Sequence, residues 1–250
     1  MKNFQTHFSI LGLVALIALA GCGGDAVTFR DSLTMNFSAS ANGSGLVYTT
    51  QNYTTAVGND ITIDRIKMYV SNVQLINSST GEAYIEHDGY HLISLNDQQQ
   101  SHSLTVEGIR SDLIFDKIRF DIGVDEERNF SIDNVGDLDP ANDMAWDWNT
   151  GYKFFLMEGN YFPGGGEATH GLVVHIGQNR NLKSQEFSLS DPINIPGAAS
   201  FDFDLDALAP FAEPNAIDLA VKSTYKVDVD SDLIAQNYAD GMLKLVTENN

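Results

Sequence analysis

Hydrophobic and polar residues alternate with a period of two along most of the chain, which is typical of half-buried β-strands. The alternation is clearest in residues 114–122 and 201–206, where charged residues separate the apolar ones. Residues 232–246 have instead a helix-like spacing. Turn sequences rich in glycine, proline and asparagine separate the other predicted strands, which span residues 33–37, 61–76, 91–95, 152–157, 172–176 and 220–229.

This pattern predicts an all-β fold, a single antiparallel β-sandwich with little helix, because strands do not alternate with helices. One long connection, residues 125–149, interrupts it and holds both tryptophans of the chain, Trp146 and Trp148. Long ordered loops tend to carry function. In an extended segment residues i and i+2 share a face, so the two indoles would point the same way.

The residues around the two tryptophans allow three interpretations. The rings form an aromatic plug that closes one end of the sandwich, or they form, with Tyr152, a platform on which a sugar stacks. In the third interpretation, Met144 joins acidic side chains and histidines in a redox or metal site. Composition alone leaves all three open.

The N-terminus has the features of a bacterial targeting segment. Lys2 is followed by an apolar run over residues 8–20, which is too short to span a bilayer comfortably. Leu19-Ala20-Gly21-Cys22 is typical of a lipobox, with cleavage before Cys22 and lipid on its thiol. We therefore predict a lipoprotein signal peptide over residues 1–21, a lipidated tether over 22–29 and one domain over 30–250. The expected location is the cell envelope, at an outer membrane facing the periplasm or the cell surface.

Charge and cysteine content narrow the function further. The 250 residues include 14 Lys and Arg against 34 Asp and Glu, a net charge of −20, which argues against a nucleic-acid partner. Cys22 is the only cysteine of the chain, so the predicted domain has no disulfide and no thiolate ligand. No nucleophile, zinc-protease, phosphate-loop or haem-attachment motif is present, which predicts a binding protein and not an enzyme.

Several motifs occur together in one order along the chain. They are GVD at 123–125, LDP at 138–140, MAWDWNTGY at 144–152, EG at 158–159 and VHIG at 174–177. In this order they resemble the signature of the MbnP-like copper-binding family, and the resemblance extends over nearly all of residues 30–245. The residues that carry the central motif are Asp139, Pro140, Trp146, Gly151 and Tyr152.

The resemblance implies a lipid-anchored protein that binds one copper ion, as Cu(I), in copper acquisition or homeostasis. In that family the second tryptophan of the pair can be oxidised to kynurenine by a partner di-haem peroxidase of the MauG type. Carried over by motif, the modified residue is Trp148. An indole offers a metal only an N–H group, whereas kynurenine offers an aniline nitrogen and a ketone oxygen beside imidazole.

The same resemblance ranks the candidate ligands. His175 comes first because it lies in the VHIG motif, and His91 follows from its place in a Tyr-x-Leu strand. Met144 offers a thioether, although a hydrophobic contact is favoured for it, and Trp146 is expected to pack and not to coordinate. The chain departs from the family in having Asn142-Asp143-Met144 where Asn-Gly-Met is common, and in lacking a histidine in its first strand.

Two further expectations concern other ligands. A structural calcium ion would suit the oxygen-rich loop before the tryptophans, with Asp133, Asp137, Asp139 and Asp143 as ligands. The alternative function is that of a glycan-binding surface lipoprotein that uses the exposed rings of Trp146, Trp148 and Tyr152.

Overall fold

Two β-sheets pack face to face in the computed structural model, which describes residues 29–131, 135–146, 151–167, 170–194 and 198–249. The helices among these residues are α1 (Glu126–Asn129) and α2 (Val229–Gly241). The fourteen strands are β1 (Phe29–Ala41), β2 (Ser44–Gly45), β3 (Tyr53–Thr54), β4 (Asp60–Ile76), β5 (Ala83–Ile85), β6 (Tyr90–Asn96), β7 (Ser101–Arg110), β8 (Ile114–Ile122), β9 (Lys153–Phe162), β10 (His170–Gly177), β11 (Lys183–Asn194), β12 (Ala198–Asp206), β13 (Thr224–Tyr225) and β14 (Leu243–Asn249).

The smaller sheet has five strands, with β1 between β12 and β7. The period-two pattern determines its faces, since Phe201 and Phe203 are buried while Asp202 and Asp204 lie on the outer surface. Most strand pairs in the protein are antiparallel, as predicted. The pairs β1–β12 and β10–β13 are parallel, which the alternation of residue types could not distinguish.

The larger sheet has nine strands arranged around the long strand β4. One edge of β4 pairs with β9 along its first half and with β8 along its second half. The other edge pairs with β3, β6 and β5 in turn. Beyond β9 lie β10 and the short β13, and β11 pairs with β8.

The main core fills the space between the two sheets. Phe37 stacks on Phe203 with ring centroids 5.2 Å apart, and Phe120 meets Phe203 edge-on at 5.6 Å. Helix α2 covers one end, where Tyr238 is completely buried against Phe155. Burial of each such side chain contributes about 1.5–3 kcal/mol. These contacts confirm the predicted all-β sandwich.

A second apolar cluster lies on the outer face of the larger sheet and holds the tryptophan-bearing loop. The strands contribute Tyr69 from β4, Leu92 from β6, and Phe154 and Leu156 from β9. The cluster therefore attaches the loop to the sheet's outer face, away from the main core. The loop and its ends contribute Val124, Leu138, Met144 and Tyr152.

Two predicted elements were wrong near the C-terminus. The predicted strand 220–229 contains only β13, because the Asp228 carboxylate accepts from the backbone N–H of Ser231 (2.9 Å) and starts α2 there. An aspartate at this position is a preferred N-cap. The predicted helix 232–246 is correct only to Gly241, beyond which β14 pairs with β12.

Candidate metal site

His175 lies on the outer face of the larger sheet, beside the second cluster. Strand β10 alternates, so Val174 and Ile176 enter the main core while His175 points the other way. Its cross-strand partner on β9 is Leu156, a member of the second cluster. The register thus places an imidazole next to the tryptophan-bearing loop, with its side chain only 11% exposed.

A carboxylate fixes the orientation of this imidazole. Nε2 of His175 lies 2.7 Å from Oε1 of Glu158, and Nε of Arg65 donates to Oε2 of the same carboxylate at 2.6 Å. The hydrogen bond from His175, with that from Arg65, lowers the pKa of Glu158 to about 2 against the opposing effect of burial. An ionised Glu158 accepts a hydrogen bond from Nε2–H, and in the tautomer that makes this bond the lone pair of the ring is on Nδ1. Metal-bound histidines commonly have this carboxylate partner on the other nitrogen.

Trp146 packs against the same imidazole. The ring centroids of Trp146 and His175 are 6.3 Å apart at 57°, and the indole is 8% exposed. Its N–H donates to the carbonyl of Tyr152 at 3.1 Å. Gly177 permits this packing, because a Cβ there would lie 2.3 Å from the Tyr152 carbonyl and 3.1 Å from the indole. Trp148 belongs to residues 147–150, which lie outside the described residues.

Three cations from the sheet hold the loop just before Trp146. Nζ of Lys67 donates to the Asn142 carbonyl at 2.8 Å, and Nζ of Lys153 donates to the Asp143 carbonyl at 3.0 Å. Arg65 donates to the Asp143 carboxylate at 2.9 Å. Burial, and next the charge of Arg65, lower the pKa of Lys67. The loop is therefore fastened through its backbone oxygens to the outer face of β4 and β9.

Buried tyrosines fasten the earlier part of the loop. The hydroxyl of Tyr69 donates to the Asp137 carbonyl at 2.9 Å, and that of Tyr152 donates to the Leu138 carbonyl at 2.6 Å. The backbone N–H of Tyr152 in turn donates to Oδ1 of Asn129 at 2.8 Å. Gly151 has φ of +116°, and a Cβ there would lie 2.9 Å from Oδ1 of Asn129. Gly151 and Tyr152 thus have structural roles at the end of the WxW segment.

A comparison with known families assigns the chain to one of them. A family model described as MbnP matches residues 30–233. The chain belongs to the MbnP family. This finding confirms the resemblance of the sequence motifs.

The MbnP-family assignment is accompanied by a likeness of fold. The solved structure of MbnP from Methylosinus trichosporium aligns with a TM-score of 0.52 at 14% sequence identity, covering 81% of this chain and 82% of that chain. At this identity the likeness shows a shared fold alone. No curated protein matches the sequence. No helix among the described residues combines the length and apolar character needed to cross a bilayer.

The backbone conformation of residue 143 accounts for the departure of this chain from the MbnP-family sequence Asn-Gly-Met. Asp143 adopts the left-handed backbone conformation, with φ of +64°. This is where the common Asn-Gly-Met sequence has a glycine, which takes such a conformation without steric cost. Aspartate tolerates it better than most residues, and its carboxylate here gains the ion pair with Arg65.

The structure places His91 and His175 on opposite faces of one sheet. His91 pairs across the strands with Val70, whose side chain is in the main core, whereas His175 is level with Leu156 on the outer face. Nε2 of His91 lies 3.0 Å from the carboxylate of Glu86. The two imidazoles are therefore not brought together, and an ion at His175 would take its other ligands from elsewhere.

Met144 and the first motif residues have packing and capping roles. Met144 is completely buried in the second cluster, which agrees with the favoured hydrophobic contact. Asp139 accepts from the backbone N–H of Ala141 at 2.8 Å, and Pro140 begins the short 3-10 turn that follows. Cys22, like Trp148, lies outside the described residues.

Three of the four acidic residues expected to hold calcium lie in the described part of the chain, and each of them has another partner. Asp137 accepts from the backbone N–H of Leu92 at 2.8 Å, while Asp139 caps its turn and Asp143 pairs with Arg65. Asp133 lies outside the described residues. Across the ranges that the structure describes, no group of three His, Cys, Asp or Glu residues could hold a metal ion.

Two of the three rings expected to form a sugar-binding platform are buried. Trp146 is 8% exposed and Tyr152 is 3% exposed, and both take part in the hydrogen bonds that close the loop. A stacking platform needs exposed ring faces, so this part of the glycan-binding hypothesis was wrong. The spacing of the aromatic residues does not reveal that both of these rings are buried.

No role in the site was predicted from the sequence for four charged residues, Arg65, Lys67, Lys153 and Glu158. Arg65 and Lys67 are two apart on β4 and share its outer face, and Glu158 and Lys153 come from β9. Glu158 belongs to the EG motif at 158–159, so the sequence could have suggested it as a residue of the site. Its contact with His175 is between β9 and β10, and only the register of these two strands shows that the side chains meet.

Proposed function

We propose that this MbnP-family protein binds one copper ion as Cu(I), with Nδ1 of His175 as a ligand. Membership of the family suggests a copper-associated protein. The single observation that carries the proposal is the hydrogen bond between Nε2 of His175 and Glu158 beside Trp146. It leaves the Nδ1 lone pair for a cation, and imidazole suits copper well.

Among the described residues the site offers the ion one imidazole, since both oxygens of Glu158 are bonded to His175 and Arg65, so further donors are needed. We propose that Trp148, in the segment that directly follows Trp146, completes it after oxidation to kynurenine by a MauG-type di-haem peroxidase. Kynurenine would supply an aniline nitrogen and a ketone oxygen. His175 binds the ion, Glu158 holds its tautomer, and Arg65 keeps Glu158 ionised.

The setting of this activity is the cell envelope. The protein acts as a binding protein in copper acquisition or homeostasis, and it is itself the substrate of a modification. Lipid on Cys22 anchors it to a membrane facing the periplasm or the cell surface. A net charge of −20 favours the approach of cations over that of nucleic acid.

Protein isolated from its own host tests this proposal. We expect peptide mass spectrometry over residues 144–153 to find kynurenine at Trp148, and metal analysis to find one copper ion per chain. Unmodified Trp148 together with copper-free protein would contradict the proposal. Copper-loaded protein without kynurenine would support copper binding and contradict the modification of Trp148.

A further inference from the structure

Trp146 and Trp148 are chemically identical and two residues apart, yet the proposed function requires oxidation of one of them only. We propose that Lys153 protects Trp146 from one-electron oxidation and thereby directs the modification to Trp148. The biological meaning rests on the proposed function. The protection itself concerns the described surroundings of Trp146 and can be measured separately.

The first part of the protection is electrostatic. Nζ of Lys153 lies 5.7 Å from the centroid of the Trp146 ring, and the lysine side chain is only 9% exposed. Removing an electron from the indole creates a positive charge beside this ammonium group. Repulsion between like charges is strong where water is largely excluded, so the radical cation of Trp146 is disfavoured. Among the described residues, the carboxylate oxygen that pairs with Nζ belongs to Asp143 at 3.9 Å, and that side chain is 56% exposed and also paired with Arg65.

The second part concerns the proton of the oxidised ring. An indole radical cation is trapped when its N–H proton leaves to a base. The N–H of Trp146 donates to the carbonyl of Tyr152 at 3.1 Å, and a peptide carbonyl is a hydrogen-bond acceptor but a very weak base. The electron is therefore returned to the ring more readily than the proton is lost.

The third part is access. Trp146 is 8% exposed, and the backbone of Gly177 lies against the edge of the indole that carries its nitrogen. Formation of kynurenine breaks the C2–C3 bond of the indole, places one oxygen on each of the two carbons and then releases C2 as formate by hydrolysis. The oxygen donor must therefore reach that bond. Lys153, Tyr152 and Gly177 thus act together on Trp146, and Lys153 is the one whose charge can be removed by substitution.

A kinetic measurement isolates the effect of the charge. In a Trp148→Phe background Trp146 is the one remaining tryptophan, since the chain has two. Photogenerated tris(bipyridine)ruthenium(III) takes one electron from the indole and becomes ruthenium(II), and the absorbance of the tryptophan radical reports the rate. We expect this rate to rise about tenfold in Lys153→Gln and Lys153→Met, and to stay within about twofold in Lys153→Arg.

Matched variants separate charge from packing. Lys153→Gln removes the charge but keeps an N–H donor for the Asp143 carbonyl. It therefore measures the effect of the charge even if Lys153→Met does not fold. Lys67→Met removes an ammonium that also holds a loop carbonyl on the same face, and we expect less than about a twofold change. Acrylamide quenching of Trp146 fluorescence checks that access to the ring is equal in the variants.

Equal oxidation rates in the parent and in folded Lys153→Gln would overturn the proposed protection. A rise of the same size in Lys67→Met would also overturn it, because the effect would then follow from loosening of the loop. Neither result depends on copper or on the host's oxidising enzyme. Failure of the proposed function would appear instead as unmodified Trp148 in native protein.

Discussion

The positions of His175 and His91 along their strands decide which face of the larger sheet each imidazole occupies. Both lie on strands of the larger sheet, and both place Nε2 against a glutamate. They differ in the parity of their register, which puts one beside the tryptophan-bearing loop and the other on the core side of the sheet. The VHIG motif singled out His175 as the first candidate ligand, and the structure places it beside Trp146, while its binding of a metal stays a prediction. Alternation along one strand indicates which of its residues share a face, but which residues of other strands lie beside them depends on the register.

At the residue scale we predict that Glu158→Gln lowers the unfolding free energy by about 1–3 kcal/mol at pH 7, because a charged acceptor is lost from His175 and Arg65. The pKa of Glu158 falls from 4.5 to about 2 on folding, so its contribution is complete above about pH 4.5. It is lost as the pH falls toward 2. Urea unfolding of both proteins between pH 7 and 2 measures the difference, and a difference that stays constant over this range would contradict the assignment.

At the element scale, the loop and the sheet are joined by backbone oxygens that accept from side chains. Lys67, Lys153, Tyr69 and Tyr152 all donate to loop carbonyls. Such contacts are independent of the loop's own side chains, so the loop sequence alone could not reveal them.

We predict that Tyr152→Phe loosens the loop without affecting the main core. The variant leaves the Leu138 carbonyl without its 2.6 Å donor, at a cost of about 1–3 kcal/mol. Hydrogen exchange should become faster in residues 136–146 and unchanged in β8. Tyr238→Phe is the matched control, because it removes a buried 2.6 Å hydroxyl bond to Asn181 elsewhere. Equal protection of the loop in both variants would refute its anchoring by Tyr152.

A second prediction concerns the close approach of β9 to β4. A Cβ at Gly159 would lie 1.9 Å from the Thr62 carbonyl, whereas at Gly171 the nearest atom is 3.9 Å away. Gly159→Ala should therefore lower the unfolding free energy by about 1–3 kcal/mol, while Gly171→Ala on the paired strand changes little. Thermal or urea unfolding compares the two variants. An equal effect would contradict the prediction, because it would mean that β4 and β9 can move apart at Gly159 without cost.

The elements themselves were predictable to different degrees. Strands β8 and β12 were found because apolar residues alternate with charged ones along each of them. Residues 220–229 alternate as well, but the capping preference of Asp228 begins a helix there. Parallel pairing of β1 with β12 depends on contacts between residues over 150 positions apart, for example Ser32 with Ala198, and alternation carries no information about it.

At the scale of the whole molecule, the predicted lipid anchor and the folded domain occupy separate parts of the chain. The family model covers residues 30–233 and leaves the predicted signal and lipobox outside it. An anchor that precedes β1 would hold the sandwich at a membrane without entering its core.

We predict that Cys22→Ser moves the protein from the membrane fraction to the soluble fraction of the envelope, because the thiol that would carry the lipid is gone. The folded domain should be unchanged, since β1 begins at Phe29. Fractionation and immunoblotting measure this, with circular dichroism as the check of the fold. Retention of the variant in the membrane would show that another attachment exists.

The most direct test of the copper site is a Cu(I) competition titration with a chromophoric chelator, using protein from its own host. His175→Gln should weaken Cu(I) binding by at least about tenfold, because it removes the ligand that Glu158 orients. His91→Gln removes an imidazole from the opposite face and should change the affinity by less than about threefold. Loss of affinity in His91→Gln, or full affinity in His175→Gln, would contradict the site described here.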